Sequence, residues 1–446
     1  ARGDIAGMAS ALSLGVAVDQ CDSLGRTALI FALQRARAFS RVSGPHATPD
    51  SIRFLLESGA SVEREDSLGM TALHHAAEIS DPVFSALILQ HGGNARHITK
   101  SGYTVPLNAC FQPAGSAKRE ILKRLHHEGA DLNLASEYGE SLPGVCLRFG
   151  DFETLRFLLE LGANMSFLHW TETHRLVALE SVDALRSFAP TQASINAKSP
   201  RQDLSPWLLS MIRGDVEIIQ WLAESGADLT QRGWCGVSCL HLACEFGHAA
   251  AARWLMDLGA VPEDWDDFGG TPLCRAVEAD RVGCASALLE RGAKAAYEER
   301  SVIQPMASAV SLAMLKVLVE KGGADVNALD GCGDWPLKNA ADRNDVESIR
   351  WLLENGAEVD RTSTGETALH TAVQSDAREA VGVLLAAGAN PNAQDVDGWT
   401  PLFNVQSIET IEMLLNAGAD RCLADQIGSG PERWIKDGIL RKALKP

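Results

Sequence analysis

Apolar residues return along this chain in two alternating settings, and together they predict pairs of short helices. In one setting a Leu-Leu pair, or a near equivalent, sits on a polar-flanked helical stripe and runs into Gly-Ala. It reads "FLLESGA" ending at Ala60, "FLLELGA" at Ala163, "WLAESGA" at Ala227, "WLMDLGA" at Ala260 and "WLLENGA" at Ala357. In the other, Asp-x-x-Gly leads into Thr, often Pro, and a small apolar face. Examples are "DSLGMTALHHAA" (66–77), "DFGGTPLCRAV" (267–277), "TGETALHTAV" (364–373) and "DGWTPLF" (397–403). Asp-x-x-Gly is turn chemistry, because Gly reaches positive φ without steric cost. Thr caps a helix N-terminus, Pro presets φ for its first turn, and Gly closes the second helix in the left-handed conformation. Trp221, Trp254 and Trp351 fall on the apolar stripes of second helices and are expected in the core.

The two settings alternate with a fixed period. The closing glycines at 129, 162, 226, 259 and 292 are 33, 64, 33 and 33 residues apart, and those at 323, 356, 388 and 418 continue the series. The gap of 64 is close to two periods and hides one degenerate unit. A period near 33 signifies a solenoid of stacked units. With Thr-Pro-Leu-His-x-Ala as its signature, the pattern resembles the ankyrin repeat over nearly the whole chain, about twelve units. The resemblance implies an all-α fold of stacked helix-turn-helix units whose loops project as β-turn or hairpin fingers. Ankyrin repeats then are expected over 1–165, with an insertion at 34–50, and again over 201–423. The stretch 166–200 lacks the turn glycine, the Thr-Pro start and the closing Gly-Ala, and reads as a degenerate repeat or hinge. Residues 424–446 read as a capping segment, since terminal repeats otherwise expose apolar faces.

Composition narrows the functional classes. The 446 residues are 46% apolar and 22% charged, a folded rather than disordered balance, and no run of eighteen apolar residues suggests a membrane span. Ten cysteines at irregular spacing fit reduced thiols, so an intracellular, cytoplasmic or nuclear setting is expected. The chain begins "ARGDIAGMAS", without Met or the layout of a signal peptide, which fits a processed or shortened chain. With 58 acidic and 40 basic residues the net charge is −18, which repels phosphate backbones and favours a basic partner over nucleic acid.

Motifs of catalysis are missing: there is neither a Gly-Lys-Ser/Thr phosphate loop nor a Gly-x-Ser-x-Gly elbow. His127-Glu128-Gly129-Ala130-Asp131 imitates a zinc-protease motif, but Asp131 stands where the second His belongs and Gly129 stops the helix. Asp395-Val396-Asp397-Gly398 imitates a calcium loop whose twelfth position is Gln406 rather than Glu. The densest Cys/His cluster is "GWCGVSCLHLACEFGH" (233–248). On the repeat frame Ser238 is the cap, Cys239 takes the Pro position, His241 matches the signature His, and Cys244 is a small core residue. Only Cys235 lacks a structural reason, so no metal and no cofactor are expected.

Function is then expected on the surface. Aromatic and acidic residues gather on the fingers: Trp234 and Cys235 on one, Asp264, Trp265, Asp267 and Phe268 on the next. Asp334 with Trp335, and Asp397 with Trp399, occupy later fingers. Tryptophans ringed by carboxylates suit a partner bearing Lys or Arg, through cation–π contacts and buried anchors. The leading expectation is a non-catalytic scaffold or adaptor holding one basic protein partner, with no membrane insertion and no direct nucleic-acid contact. The alternatives are the regulatory or targeting array of a larger enzyme, receptor or effector, and a chaperone or immunity-type protein masking a basic partner. The 34–50 insertion, with Arg35, Arg37 and Arg41, is a second candidate contact.

Overall fold

A computed structural model describes residues 5–39, 48–297, 304–363, 365–435 and 438–444. The chain divides into two compact units, 1–190 with 199–202, and 191–198 with 203–446. Each unit repeats one motif: a short first helix, a tight turn, a longer second helix, then a finger leading to the next first helix. In the first unit the pairs include Ala72–Ala77 with Pro82–Gln90, and Leu142–Arg148 with Phe152–Glu160. In the second they include Cys239–Glu245 with Ala249–Asp257, and Pro336–Asp342 with Val346–Glu354. Among the described residues the fingers form isolated antiparallel bridges, Ile98 with Thr104, Ala135 with Ser141 and Arg232 with Ser238, and no sheet.

Local chemistry explains the frame. The Thr104, Ser205 and Thr271 hydroxyls accept from the amides of Leu107, Leu208 and Cys274 at 3.2, 3.3 and 3.3 Å, capping first helices whose Pro106, Pro206 and Pro272 lie in the first turn. Second helices end by a six-to-one bond. The Ala60 amide donates to the Leu55 carbonyl at 3.0 Å and Ala227 to Leu222 at 3.0 Å, around a left-handed Gly59 or Gly226. That bond is why Leu-Leu so often precedes Gly-Ala. First helices pack on first helices of the neighbouring repeats, as Cys239–Glu245 does on Pro206–Arg213 and Pro272–Glu278.

Neighbouring repeats are also laced by polar bonds. A turn aspartate folds several of the fingers: Asp266 Oδ1 accepts from the Phe268 and Gly270 amides at 2.9 and 2.8 Å. Adjacent fingers then bond through the backbone, Ser67 to Leu24 at 2.9 Å and Glu137 to Ser101 at 3.0 Å. Below the fingers a side-chain oxygen of one repeat accepts the amide that follows Gly-Ala in the next. Asn133 takes Asn164 at 2.8 Å, Asn196 takes Asp228 at 2.8 Å, Glu263 takes Lys294 at 2.7 Å and Asn327 takes Glu358 at 2.9 Å.

Close finger packing gives one glycine an exacting role. Gly102 has φ +77°, and a Cβ there would meet Glu137 N at 3.0 Å and Ser136 Cα at 3.1 Å, both backbone. Gly102→Ala is expected to destabilise the first unit by about 1–2 kcal/mol or more, read as a shift in urea midpoint. No shift would mean that the fingers are not in contact there.

The structure departs from the sequence expectation in several places. Trp221, Trp254 and Trp351 are half-buried rather than core, because they flank the buried stripe of each second helix. The fully buried tryptophans are Trp207, in a first helix, and Trp335. Within 166–200 the helix Glu172–Leu179 is capped by Thr171 with His174 at N3, so a repeat start persists there without Pro. In the 34–50 insertion, Arg35 and Arg37 belong to the helix Ala28–Phe39, and Arg41 lies outside the described residues.

Candidate functional site

The two fingers around residues 232–238 and 264–270 form one bonded surface. A 3₁₀ turn, Trp234–Gly236, shapes the first tip, with Cys235 at φ 58°. The Asp267 amide donates to the Cys235 carbonyl at 3.0 Å, which joins the tips. Arg232 completes the join: it pairs with Asp264 at 2.5 Å and donates to the carbonyls of Gly236 and Trp265 at 2.7 and 3.2 Å. Trp234 and Phe268 remain 73% and 67% exposed. Trp265 is partly covered by Tyr297, whose ring meets it edge-on with centroids 5.0 Å apart.

Charge on this surface is directional. Burial opposes ionisation of Asp264, but hydrogen bonds from Arg232 and Ser238 outweigh it and hold the carboxyl below its ordinary range. For Asp266 burial is likewise outweighed, by the Gly270 amide and by Arg275, which lies 2.5 Å away. Both local arginines are thus committed, while Asp267 is exposed on the tip. Desolvation and the neighbouring carboxylates Asp267 and Asp266 push the Cys235 thiol up, which disfavours a thiolate.

The remaining predicted positions do not join this surface. Trp335 is 1% exposed and packs inward as the cap residue of Pro336–Asp342, with Lys338 over its ring and Asp334 paired to Lys338 at 2.5 Å. Trp399 is half-buried, stacked on Phe403 and tilted against Trp434, with Asp397 exposed beside it. The Cys/His cluster is used internally. His241 Nδ1 accepts the Ser238 amide at 3.3 Å, so Nε2 carries the proton toward the Gly270 carbonyl at 3.2 Å. His248 Nε2 faces the Ile212 carbonyl at 2.9 Å, and Cys239 and Cys244 are buried. Among the described residues no three His, Cys, Asp or Glu side chains converge as metal ligands.

Sequence reasoning missed Arg232, the residue that fastens the two fingers; an isolated Arg one turn before an aromatic tip was the available signal. It also missed a cavity of about 850 Å³ in the first unit, lined by Arg37, His75, Glu78, Gln112, Met70 and Phe111 among others. Arg37 and Glu78 pair there at 2.5 Å, and burial raises the Glu78 carboxyl against the pull of Arg37.

Comparison with known proteins places this geometry. The family model described as ankyrin repeats (3 copies) matches residues 207–298 and 306–395. These segments are ankyrin repeats. The chain is 32% identical over 227 residues to neurogenic locus notch homolog protein 2 of Homo sapiens, which is 44% of this chain and 9% of that one. It is 28% identical over 251 residues to E3 ubiquitin-protein ligase KEG of Arabidopsis thaliana, 52% of this chain and 15% of the relative. Against L-asparaginase of Dirofilaria immitis the identity is 31% over 175 residues, 38% and 29% of the two chains. The chain thus spans between 9% and 29% of the length of these curated relatives. Among solved structures, the human ASB11 ankyrin repeat domain is similar at 24% identity and TM-score 0.35, covering 54% of this chain and 96% of that one. Ankyrin repeats indicate a protein-interaction scaffold, or such a region of a larger protein, and so imply protein partners. Among the described residues no helix is long and apolar enough to cross a membrane.

Proposed function

We propose that the chain is a protein-binding scaffold without catalytic activity of its own, and that the fingers 232–238 and 264–270 hold a basic segment of its partner. One observation carries the reading: Trp234 and Phe268 stand exposed on two fingers fastened to each other, beside carboxylates whose local arginines are already committed. A rigid aromatic pair presents contact area at little entropic cost, and nearby carboxylates select Lys or Arg. The exposed parts of later fingers, Asp397 and Trp399, extend the same chemistry. The net charge of −18 adds long-range attraction for a basic partner.

The test is a pull-down with mass spectrometry, followed by affinity measurement on the partner recovered. Trp234→Ala with Phe268→Ala is expected to weaken binding at least about tenfold, and raising salt from low to high concentration should weaken the unsubstituted chain as well. Affinity indifferent to both changes would place the contact elsewhere.

A second reading draws on the relatives. Because the chain spans under a third of proteins named as a ubiquitin ligase, an asparaginase and a notch homologue, the array also fits the targeting region of a larger protein. In that case the same fingers choose what the larger protein meets.

A further inference from the structure

At the joint between the repeats of Cys239–Glu245 and Pro272–Glu278 the side-chain bond that laces the joints on either side is absent among the described residues, as it is at the amides of Asp131 and Asp325. Where Asn133, Asn196, Glu263 and Asn327 reach the next repeat, Thr230 instead turns its hydroxyl back to Asp228 at 2.7 Å. The residue opposite is Val261, in the position that Asp131, Asp228 and Asp325 hold after other Gly-Ala pairs. A cavity of about 510 Å³ opens at this joint, walled by Leu229, Leu255, Leu258 and Val261. Cys239 lines it in the position that Pro272 and Pro336 hold in later repeats. Leu258 and Val261 are 52% and 61% exposed. Arg232 and Asp264 also line the cavity, so it is continuous with the finger surface.

We propose that this cavity seats a branched aliphatic side chain of a partner protein, with a Lys or Arg beside it in the same segment. The inference rests on the finger reading above and deepens it. The walls select the aliphatic group, since burying it removes Leu258 and Val261 from water along with it. The carboxylates select the neighbouring cation: Arg232 is spent on Asp264 and Arg275 on Asp266, which leaves Glu263 and Asp267 without an ion pair among the described residues. A second copy of this chain, with net charge −18, is disfavoured as the occupant for the same reason.

The experiment uses the full chain with labelled Leu and Val methyls and three synthetic dodecapeptides that differ only in one central pair: Leu-Arg, Ala-Arg or Leu-Glu. Saturable shifts of the Leu258 methyls are expected with Leu-Arg, at least tenfold weaker with the other two. Equal responses to all three, or none to any, would overturn the proposal. Thr230→Asn with Val261→Asp restores residues that other joints already carry, so it should fold with unchanged or higher melting temperature and lose the Leu-Arg response. Leu258→Glu, at an exposed site, should lose it too. If both variants keep the response while Trp234→Ala with Phe268→Ala abolishes it, the cavity assignment fails and the finger reading stands. The converse pattern keeps the cavity and removes the aromatic tips from the interface.

Discussion

Asp151→Ala is expected to destabilise the first unit by about 3–5 kcal/mol. Asp151 and Lys118 are both buried, with side chains 1% and 0% exposed, and their Oδ2 and Nζ lie 2.9 Å apart. Lys118 Nζ also donates to the Cys110 carbonyl at 3.2 Å, so the ammonium crosses from one repeat to the next. Asp151 has a second duty, accepting the Thr154 amide at 3.0 Å as the cap of Phe152–Glu160. Burial opposes its charge, yet the hydrogen bonds from Lys118 and Thr154 outweigh that and keep its pKa low. Removing the carboxylate leaves a buried ammonium without its counter-charge and an uncapped helix. Removing both charges is a different matter: Lys118→Met with Asp151→Ser keeps the cap and is expected to lie within about 1–2 kcal/mol of the unsubstituted chain. Urea unfolding followed by circular dichroism, with hydrogen exchange at Val105–Cys110, measures both. A cost under about 1 kcal/mol for Asp151→Ala would show that water reaches the pair.

The second large effect is loss of stability between pH 6.5 and 4. His74 has its pKa lowered to about 4, mainly by burial and then by neighbouring His97, and burial also lowers His75, His241, His248 and His370. In the unfolded chain a histidine titrates near about 6.5, so below that pH the unfolded state binds more protons than the folded one. Stability therefore falls as pH falls through this window, by about 3 kcal/mol for His74 alone. The carboxyls of Glu78, Glu245 and Glu278, raised by burial, act in the opposite sense. They are fewer, and none matches the His74 shift. The capping box holds the buried ring in place, with His74 Nδ1 accepting the Thr71 amide at 3.3 Å. Urea midpoints at pH 7.5 and 5.0 should differ accordingly. His74→Leu, a residue found at the equivalent positions 107 and 208, should flatten the profile; a profile left unchanged would assign the acid sensitivity elsewhere.

Most of the repeat frame was readable because its signals are local. Thr before Pro, Gly after Leu-Leu and Asp at the finger turn each encode a bond within six residues, and a fixed period repeats them. Lys118 was not readable, because a Lys within "SAKRE" looks like a solvated helix face, and its partner Asp151 is 33 positions away. Thr171 with His174 went unnoticed because the Thr-x-x-His spacing survives without its Pro. At the candidate site, finger aromatics were visible as residues but not as inward or outward. Trp335 stands at a cap position and Trp234 four residues before one, and both read as finger aromatics, yet one packs inward and the other projects from a 3₁₀ turn. Orientation there depends on a neighbouring repeat, which no local pattern contains.

The Arg232 bonds between the two fingers also bear on how the array comes apart. In a linear stack each repeat is held by its own stability and by the couplings to its two neighbours. Weakening one coupling lowers the cost of a boundary between folded and unfolded segments at that place. Arg232→Ala should therefore let the second unit open at this seam, as two blocks rather than one, with separate hydrogen-exchange profiles on either side. A ligand clasping both sides of the seam would fuse the blocks, so occupancy would register as cooperativity along the whole unit.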